Sequence, residues 1–479
     1  MEALTCEDKQ RQAMSSTTTL KLFSPFILGA ITLRHRVVLA PLTRLRSDQP
    51  GDIPGDLIAE YYAQRASPGR LIVTESAEIT PEASAYEGAP GIFTEAQMAG
   101  WRKVTDAIHR KEGYVFLQLW HSGRVSHPDL TGVAPVSASA TESTDILVFT
   151  NKGTVPAPRS RALEIDEIPG IVNLYHEAAL KAGIAGFDGV EVLAAGGYLL
   201  DQFLQNGTNL RTEAYGGSVE NRARLLLEVV EGVTEIFSPN RVAVRLSPSG
   251  IFTGISDSNP QAIFDYVAAV LNRFGLAYLH IIEPRVKGGQ TLHAGHPPVA
   301  AAALRKIFKG PIIAAGGFDR EGAIKIVENG DADLVAFGRQ FISNPDLPER
   351  LAAHGGLDRW KELRSIRATL SVSGVLFASK GRAGQLKGIE IEAQLHEQKV
   401  VTYIAGKKRR WVFQPNSIVV EGDSGEKLAE HVYPRRSFQG NEAFWELPSR
   451  ESGWSWLVTS AKLRGLMFTH VASTSTVNR

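Results

Sequence analysis

Cysteine occurs once in the 479 residues, at Cys6, so the chain can form neither an intramolecular disulfide nor a cysteine-rich metal site. Neither sign of charge dominates. The 52 lysines and arginines nearly balance 51 aspartates and glutamates, and nothing in that balance calls for nucleic acid, anionic lipid or a strongly acidic partner. No stretch approaches eighteen consecutive apolar residues, which argues against a membrane span. The opening "MEALTCEDKQRQAMSSTTTL" mixes both charge signs and lacks the continuous apolar run of a secretory signal. A reducing, cytoplasmic location is expected, with a small molecule as partner, no nucleic acid, no membrane, and a monomeric or homodimeric chain. The short "KKRR" at 407–410 reads as a solvated basic turn in preference to a nuclear signal.

What the chain does have is a 43% hydrophobic composition arranged in alternation. Eight short β-branched or apolar runs are each followed by a stretch with helical periodicity: 37–44, 71–79, 114–120, 189–196, 242–248, 278–284, 311–317 and 334–340. That alternation marks parallel βα units, and eight of them predict a closed α/β barrel. Thr94 with Gln97 spells a capping box, and Pro260 and Pro345 stand near first helical positions. Residues 121–169, rich in Pro, Ser and Thr, are too long for an ordinary loop and predict a lid or hairpin over the mouth. Three regions are expected: a polar leader 1–19, the barrel 20–355, and an extension 356–479 without assigned fold or function. The extension holds Trp360, Trp411, Trp445, Trp454 and Trp456, and its runs "KVVTYI", "RWVFQ" and "SIVVEG" read as short strands.

Active sites of such barrels lie where the strands end. Runs seven and eight end in "AAGG" and "FGRQ", so Gly316, Gly317 and Gly338 would let backbone N–H groups approach a phosphate, with Arg339 adding charge. A glycine pair also serves simply to form a tight turn. Thr43, Gln118 and Arg245 are suited to a ring edge bearing alternating donors and acceptors, although each taken alone is more often a satisfied core polar group.

Seven motifs, in order from residue 20 to about 355, then make a resemblance specific. Among them are "LFSPFILGAITLRHRVVLAPLTRLRS", "FLQLWHSGRVSHPD", "GYLLDQFLQNGTNLRTEAYGGSVENRARLLLEVV" and "FGRQFISNPDL". The chain resembles the Old Yellow Enzyme family of FMN-dependent ene-reductases, particularly its oxophytodienoate-reductase-like and classical fungal branches. The resemblance implies a (β/α)8 TIM barrel with an N-terminal β-hairpin closing one end and FMN at the other. It also implies reduction of the flavin by NADPH or NADH. Carried over by residue, Pro41 and Thr43 would contact the isoalloxazine, with Ser76 beside it where many relatives have glycine. Gln118 would pair with its pyrimidine edge and Arg245 would bring positive charge near N1 and O2. Gly316, Gly317, Gly338 and Arg339 would hold the ribityl phosphate. Trp120 would shape the substrate side, and Tyr198 matches the proton donor.

The family's strand-four pattern "H-x-x-H/N-G-Y" supplies two side chains that grip a substrate carbonyl. Here Leu193 and Gly196 occupy those positions, and neither side chain can donate a hydrogen bond. Losing one such donor typically costs about 2.7 to 4 kcal/mol of transition-state stabilisation. Three readings follow. One is an oxidoreductase of activated alkenes or related bulky small molecules in specialised metabolism; its substrate is activated differently or is already electrophilic, as an iminium is. Another is a redox-neutral isomerase or a desaturase using FMN as hydride relay. The third is a non-catalytic flavin-binding protein.

Overall fold

A computed structural model describes residues 20–142, 146–287, 290–291, 299–353, 365–370, 389–394, 399–404, 409–414, 417–432 and 475–478. The expected leader, Trp360, Trp445, Trp454, Trp456, Lys407 and Lys408 lie outside the described residues. Two compact units make up the chain, Met1–Pro348 and Glu349–Arg479.

Eight parallel strands close the first unit into a barrel: β1 (Val37–Leu39), β2 (Leu71–Glu78), β3 (Tyr114–Trp120), β4 (Gly189–Ala194), β5 (Val242–Leu246), β6 (Tyr278–Ile282), β7 (Ile312–Ala315) and β8 (Leu334–Phe337). Each pairs with the next, and β8 returns to β1. The eight predicted runs are these strands, with most runs extending a few residues into the loops beyond the C-terminal ends. Because helices cover the outside and side chains fill the inside, strands such as β2 and β4 are buried at every position. An antiparallel hairpin, Phe26–Leu28 with Ile31–Leu33, packs its buried leucines and Ile31 against the first residues of β2, β6 and β8. It therefore closes the N-terminal end, as the family resemblance implies.

Helices α1 (Asp56–Arg65), α2 (Glu95–His109), α3 (Ile168–Ile184), α4 (Val219–Thr234), α5 (Pro260–Leu271), α6 (Ala301–Leu304), α7 (Arg320–Glu328) and α8 (Leu347–Ala353) follow the strands in turn. The Thr94 hydroxyl accepts from the Gln97 N–H, and the Gln97 side chain accepts in return from the Thr94 N–H, so two first-turn donors of α2 are satisfied reciprocally. Pro260 opens α5 behind an Asn259 cap, whereas Pro345 stands two residues ahead of α8.

The long segment after β3 carries a short helix, Pro128–Thr131, and the expected hairpin, Leu147–Thr150 with Gly153–Pro156. Phe149 of that hairpin bridges to Tyr86, their rings 5.7 Å apart.

The second unit is an antiparallel seven-stranded sheet in the order Lys427–Val432, Ser417–Gly422, Arg409–Gln414, Lys399–Ile404, Ile389–Gln394, Ser365–Leu370, Ser475–Asn478. All three runs read as strands from sequence are strands, and Trp411 is buried among their apolar residues. Arg409 and Arg410 open a strand instead of lying in a basic turn: they pair in the ladder with Gly422 and Glu421, and Arg410 Nε also meets Glu421 Oε2 at 2.6 Å. Among the described residues no helix is long and apolar enough to cross a membrane.

Candidate functional site

The C-terminal ends of the barrel strands surround a cavity of about 660 Å³. Its lining includes Pro41 and Thr43 after β1, Ser76 on β2, Gln118 on β3, Leu193 on β4, Gly196 and Tyr198 beyond it, and Arg245 on β5. Gly316 and Gly317 after β7, with Gly338 and Arg339 after β8, complete it. Of the residues singled out from sequence, only Trp120 stands back from the cavity. It is 1% exposed because Tyr86 stacks on it at 5.9 Å and Tyr198 meets it edge-on at 5.1 Å. Trp120 thus supports two phenols that face the cavity.

At one end of the cavity the backbone does the work. Gly316 and Gly317 adopt φ of +117° and +68°, and a Cβ on Gly316 would come within 3.2 Å of Glu283. A Cβ on Gly338 would lie 3.0 Å from Leu42. Without side chains these turns would let their N–H groups approach an anion, and Gly338 also caps the short helix Arg339–Ser343.

At the other end stands a row of polar side chains. Ser76 Oγ donates to Gln118 Oε1 at 2.5 Å, Gln118 Nε2 donates to Glu191 Oε1 at 2.6 Å, and His280 Nδ1 lies 2.9 Å from Glu191 Oε2. Glu191 and His280 are fully buried. Burial alone would push the Glu191 carboxyl up, but His280, Arg245 and the Gln118 N–H outweigh it and hold the group below the ordinary carboxylate value. Burial pushes His280 down, with Glu191 opposing, and its Nδ1 faces the Glu191 carboxylate, which can only accept, so Nδ1 carries the proton of that bond. Arg245 Nε is buried with no protein partner.

The sequence reading missed Glu191, His280 and Tyr86. A glutamate and a histidine inside otherwise apolar strand runs were the available signal for the first two, since charged residues are almost never fully buried unless paired.

Tyr198 caps the short helix Leu199–Leu204, which turns its ring back over the mouth. Its hydroxyl lies 3.2 Å from that of Tyr86. Burial raises both phenols, Tyr198 well above its ordinary value with the neighbouring Tyr86 adding to the shift and Arg245 opposing it, so both are protonated at neutral pH. Among the described residues no replacement donor appears around Leu193 and Gly196. The Gly196 N–H donates to Ser247 Oγ and the Gly197 N–H to Asp201 Oδ2, each at 2.8 Å. Asp201 is pushed up to about 6 by burial, opposed by hydrogen bonds from Gln205, Gly197 and Ser247.

The pattern of the NADH:flavin oxidoreductase / NADH oxidase family matches residues 21–357. The chain belongs to that family. Among its relatives, 12-oxophytodienoate reductase 1 of Oryza sativa subsp. japonica is 43% identical over 353 residues, 72% of this chain and 90% of that protein. The 12-oxophytodienoate reductase 2 of Arabidopsis thaliana is 40% identical over 363 residues, 75% and 94%. Of solved structures, morphinone reductase superposes with a TM-score of 0.66 at 47% identity, over 70% of this chain and 90% of that one. The old yellow enzyme homologue from Zymomonas mobilis gives 0.66 at 40%, over 71% and 96%.

As a member of the family the protein is an FMN-dependent oxidoreductase that takes its electrons from a reduced nicotinamide nucleotide. The residues at the mouth fit FMN on structural grounds: side-chain-free turns and Arg339 at the phosphate end, and at the ring end a buried guanidinium nitrogen without a protein partner beside an oriented amide.

Proposed function

We propose that the protein reduces an activated alkene, or a related bulky small molecule of specialised metabolism, whose reacting carbon is electrophilic before it binds. FMN held in the mouth would supply the hydride, replenished by NADPH or NADH. Gly316, Gly317, Gly338 and Arg339 hold its phosphate, Thr43 and Gln118 address its ring edge, Pro41 and Ser76 lie beside it, and Arg245 contributes positive charge. Tyr198 gives the proton that completes reduction of the alkene, and Tyr86 accepts a hydrogen bond from it or donates one to it.

One observation carries this reading: a single cavity is lined both by the cofactor residues and by a protonated phenol, while the Leu193 and Gly196 positions offer no carbonyl grip. The backbone N–H groups nearest that gap are already engaged by Ser247 and Asp201, so they do not replace the missing donors. Leu193, Ala195, Phe252 and Ile282 give that part of the lining an apolar character suited to a bulky substrate.

The purified protein is expected to carry stoichiometric FMN and to lose its yellow absorbance when NADPH or NADH is added without oxygen. Product should then form in proportion to nucleotide consumed. Turnover sustained by a trace of nucleotide would make the enzyme a redox-neutral isomerase, and absence of bound flavin at saturating FMN would leave a non-catalytic protein.

A further inference from the structure

The floor of the mouth is crossed by a polar row on five adjacent strands. Ser76 is in register with Gln118, Gln118 with Glu191, and Arg245 with His280. The direction of every hydrogen bond in this row follows from one charge. An ionised carboxylate only accepts, so the Gln118 group bonded to Glu191 is its NH2, the oxygen faces Ser76, and the Ser76 hydroxyl must donate to it. His280 completes the row, with the proton on Nδ1 and Nε2 buried without a partner.

The amide is then half used. One N–H goes to Glu191 and one lone pair of the carbonyl to Ser76, leaving one N–H and one lone pair, side by side, for a ring lining up with Gln118. A protonated Glu191 would remove this order, since its O–H could donate to the carbonyl of a flipped Gln118 amide as readily as its other oxygen accepts from the NH2.

We propose that Glu191, braced by His280, is a positioning residue that sets the Gln118 amide in one orientation toward the pyrimidine edge of FMN and counterbalances the charge of Arg245 beside that ring. This rests on the reading of the mouth as the FMN site. The acceptor left on Gln118 matches a ring N–H flanked by carbonyl oxygens, and the donor matches one of those oxygens. Because Glu191 offsets Arg245, its charge disfavours the reduced, more negative form of the cofactor, and neutralising it favours that form.

The test compares the holoenzyme with its Glu191→Gln and Glu191→Asp variants, measuring dissociation constants for FMN and for 3-methyl-FMN, which lacks the ring N–H, and the two-electron potential of bound FMN. The parent is expected to bind 3-methyl-FMN about tenfold or more weakly relative to FMN, the worth of one hydrogen bond. Glu191→Gln should abolish most of that discrimination. It should also raise the preference for reduced over oxidised FMN by about tenfold, a positive shift of about 30 mV for a two-electron couple. Glu191→Asp keeps the charge but is too short to reach both neighbours, so discrimination should fall while the potential stays near the parent's.

Variants that bind FMN with unchanged discrimination and unchanged potential would overturn the inference and leave the FMN reading intact. A parent that binds no FMN would instead overturn that reading. Should neither variant fold, neutron diffraction from the parent holoenzyme decides the matter: deuterium on the Gln118 nitrogen pointing at an unprotonated Glu191 supports the assignment, and a reversed amide or a protonated Glu191 refutes it.

Discussion

A phenol can serve as a proton donor only if it still holds its proton at working pH, and burial beside Tyr86 keeps Tyr198 in that form. Tyr198→Phe is therefore expected to slow substrate reduction by about a hundredfold or more while leaving flavin reduction by nucleotide near the parent rate. Stopped-flow absorbance separates the two half-reactions, and equal loss in both would assign Tyr198 a purely structural role. The complementary change places donors at the two strand-four positions. Gly196 sits at φ +67°, a conformation Asn tolerates better than other side chains, although a Cβ there would come within 3.3 Å of the Tyr198 ring. Leu193→His with Gly196→Asn should raise turnover of simple cyclic enones by about tenfold to a thousandfold, the worth of a recovered oxyanion donor. No gain in a variant that still binds FMN would mean that the pocket has been closed or repurposed beyond these two positions.

At the scale of elements, the turn after β4 shows how tightly the site is built into the barrel. Gly197 adopts φ +72°, and a Cβ there would fall 1.9 Å from Thr253 Oγ1, so the chain must pass this point without a side chain to swing Tyr198 over the cavity. The helix ends are tied in by longer-range bonds. His109, in the last turn of α2, bonds Asp188 Oδ2 through Nε2 at 3.0 Å, and the same oxygen accepts the Val115 N–H. The bond to Asp188 raises the His109 pKa above its ordinary value of 6.5, burial opposing. A group raised in the folded state contributes stability that is fully present below the unfolded pKa and is lost as pH rises through the folded one. His109→Gln should accordingly lower stability by about 0.3 to 1 kcal/mol at pH 5.5 and by less at pH 8.5, read from urea denaturation at the two pH values. A larger loss at the higher pH would contradict the assignment.

For the whole molecule, cofactor binding and stability are linked. FMN that binds only the folded barrel should stabilise it by about 2.7 kcal/mol at a free concentration of one hundred times its dissociation constant. Thermal melts across an FMN series should shift upward accordingly, and a melt indifferent to FMN would mean that the folded chain does not bind it in preference to the unfolded one.

Much of this architecture was legible in the chain itself, because parallel strands buried on both faces read as short apolar runs and their helices as periodic ones. The glycines and Arg339 at strand ends were legible for the same local reason, and they line the cavity. The capping box at Thr94 needs only neighbours three residues apart, and it is present as read. By contrast, Glu191 lies 89 residues from His280 and 73 from Gln118, and no local pattern reports that barrel closure sets them side by side. Likewise, Tyr86 and Tyr198 are separated by 112 residues, and only the packing of two loops around Trp120 brings their hydroxyls within 3.2 Å. Local periodicity and turn chemistry thus determined the elements and which residues stand at their ends. The tertiary structure alone decided which protons those residues hold and whom they face, because burial and charge pairing are properties of neighbours in space.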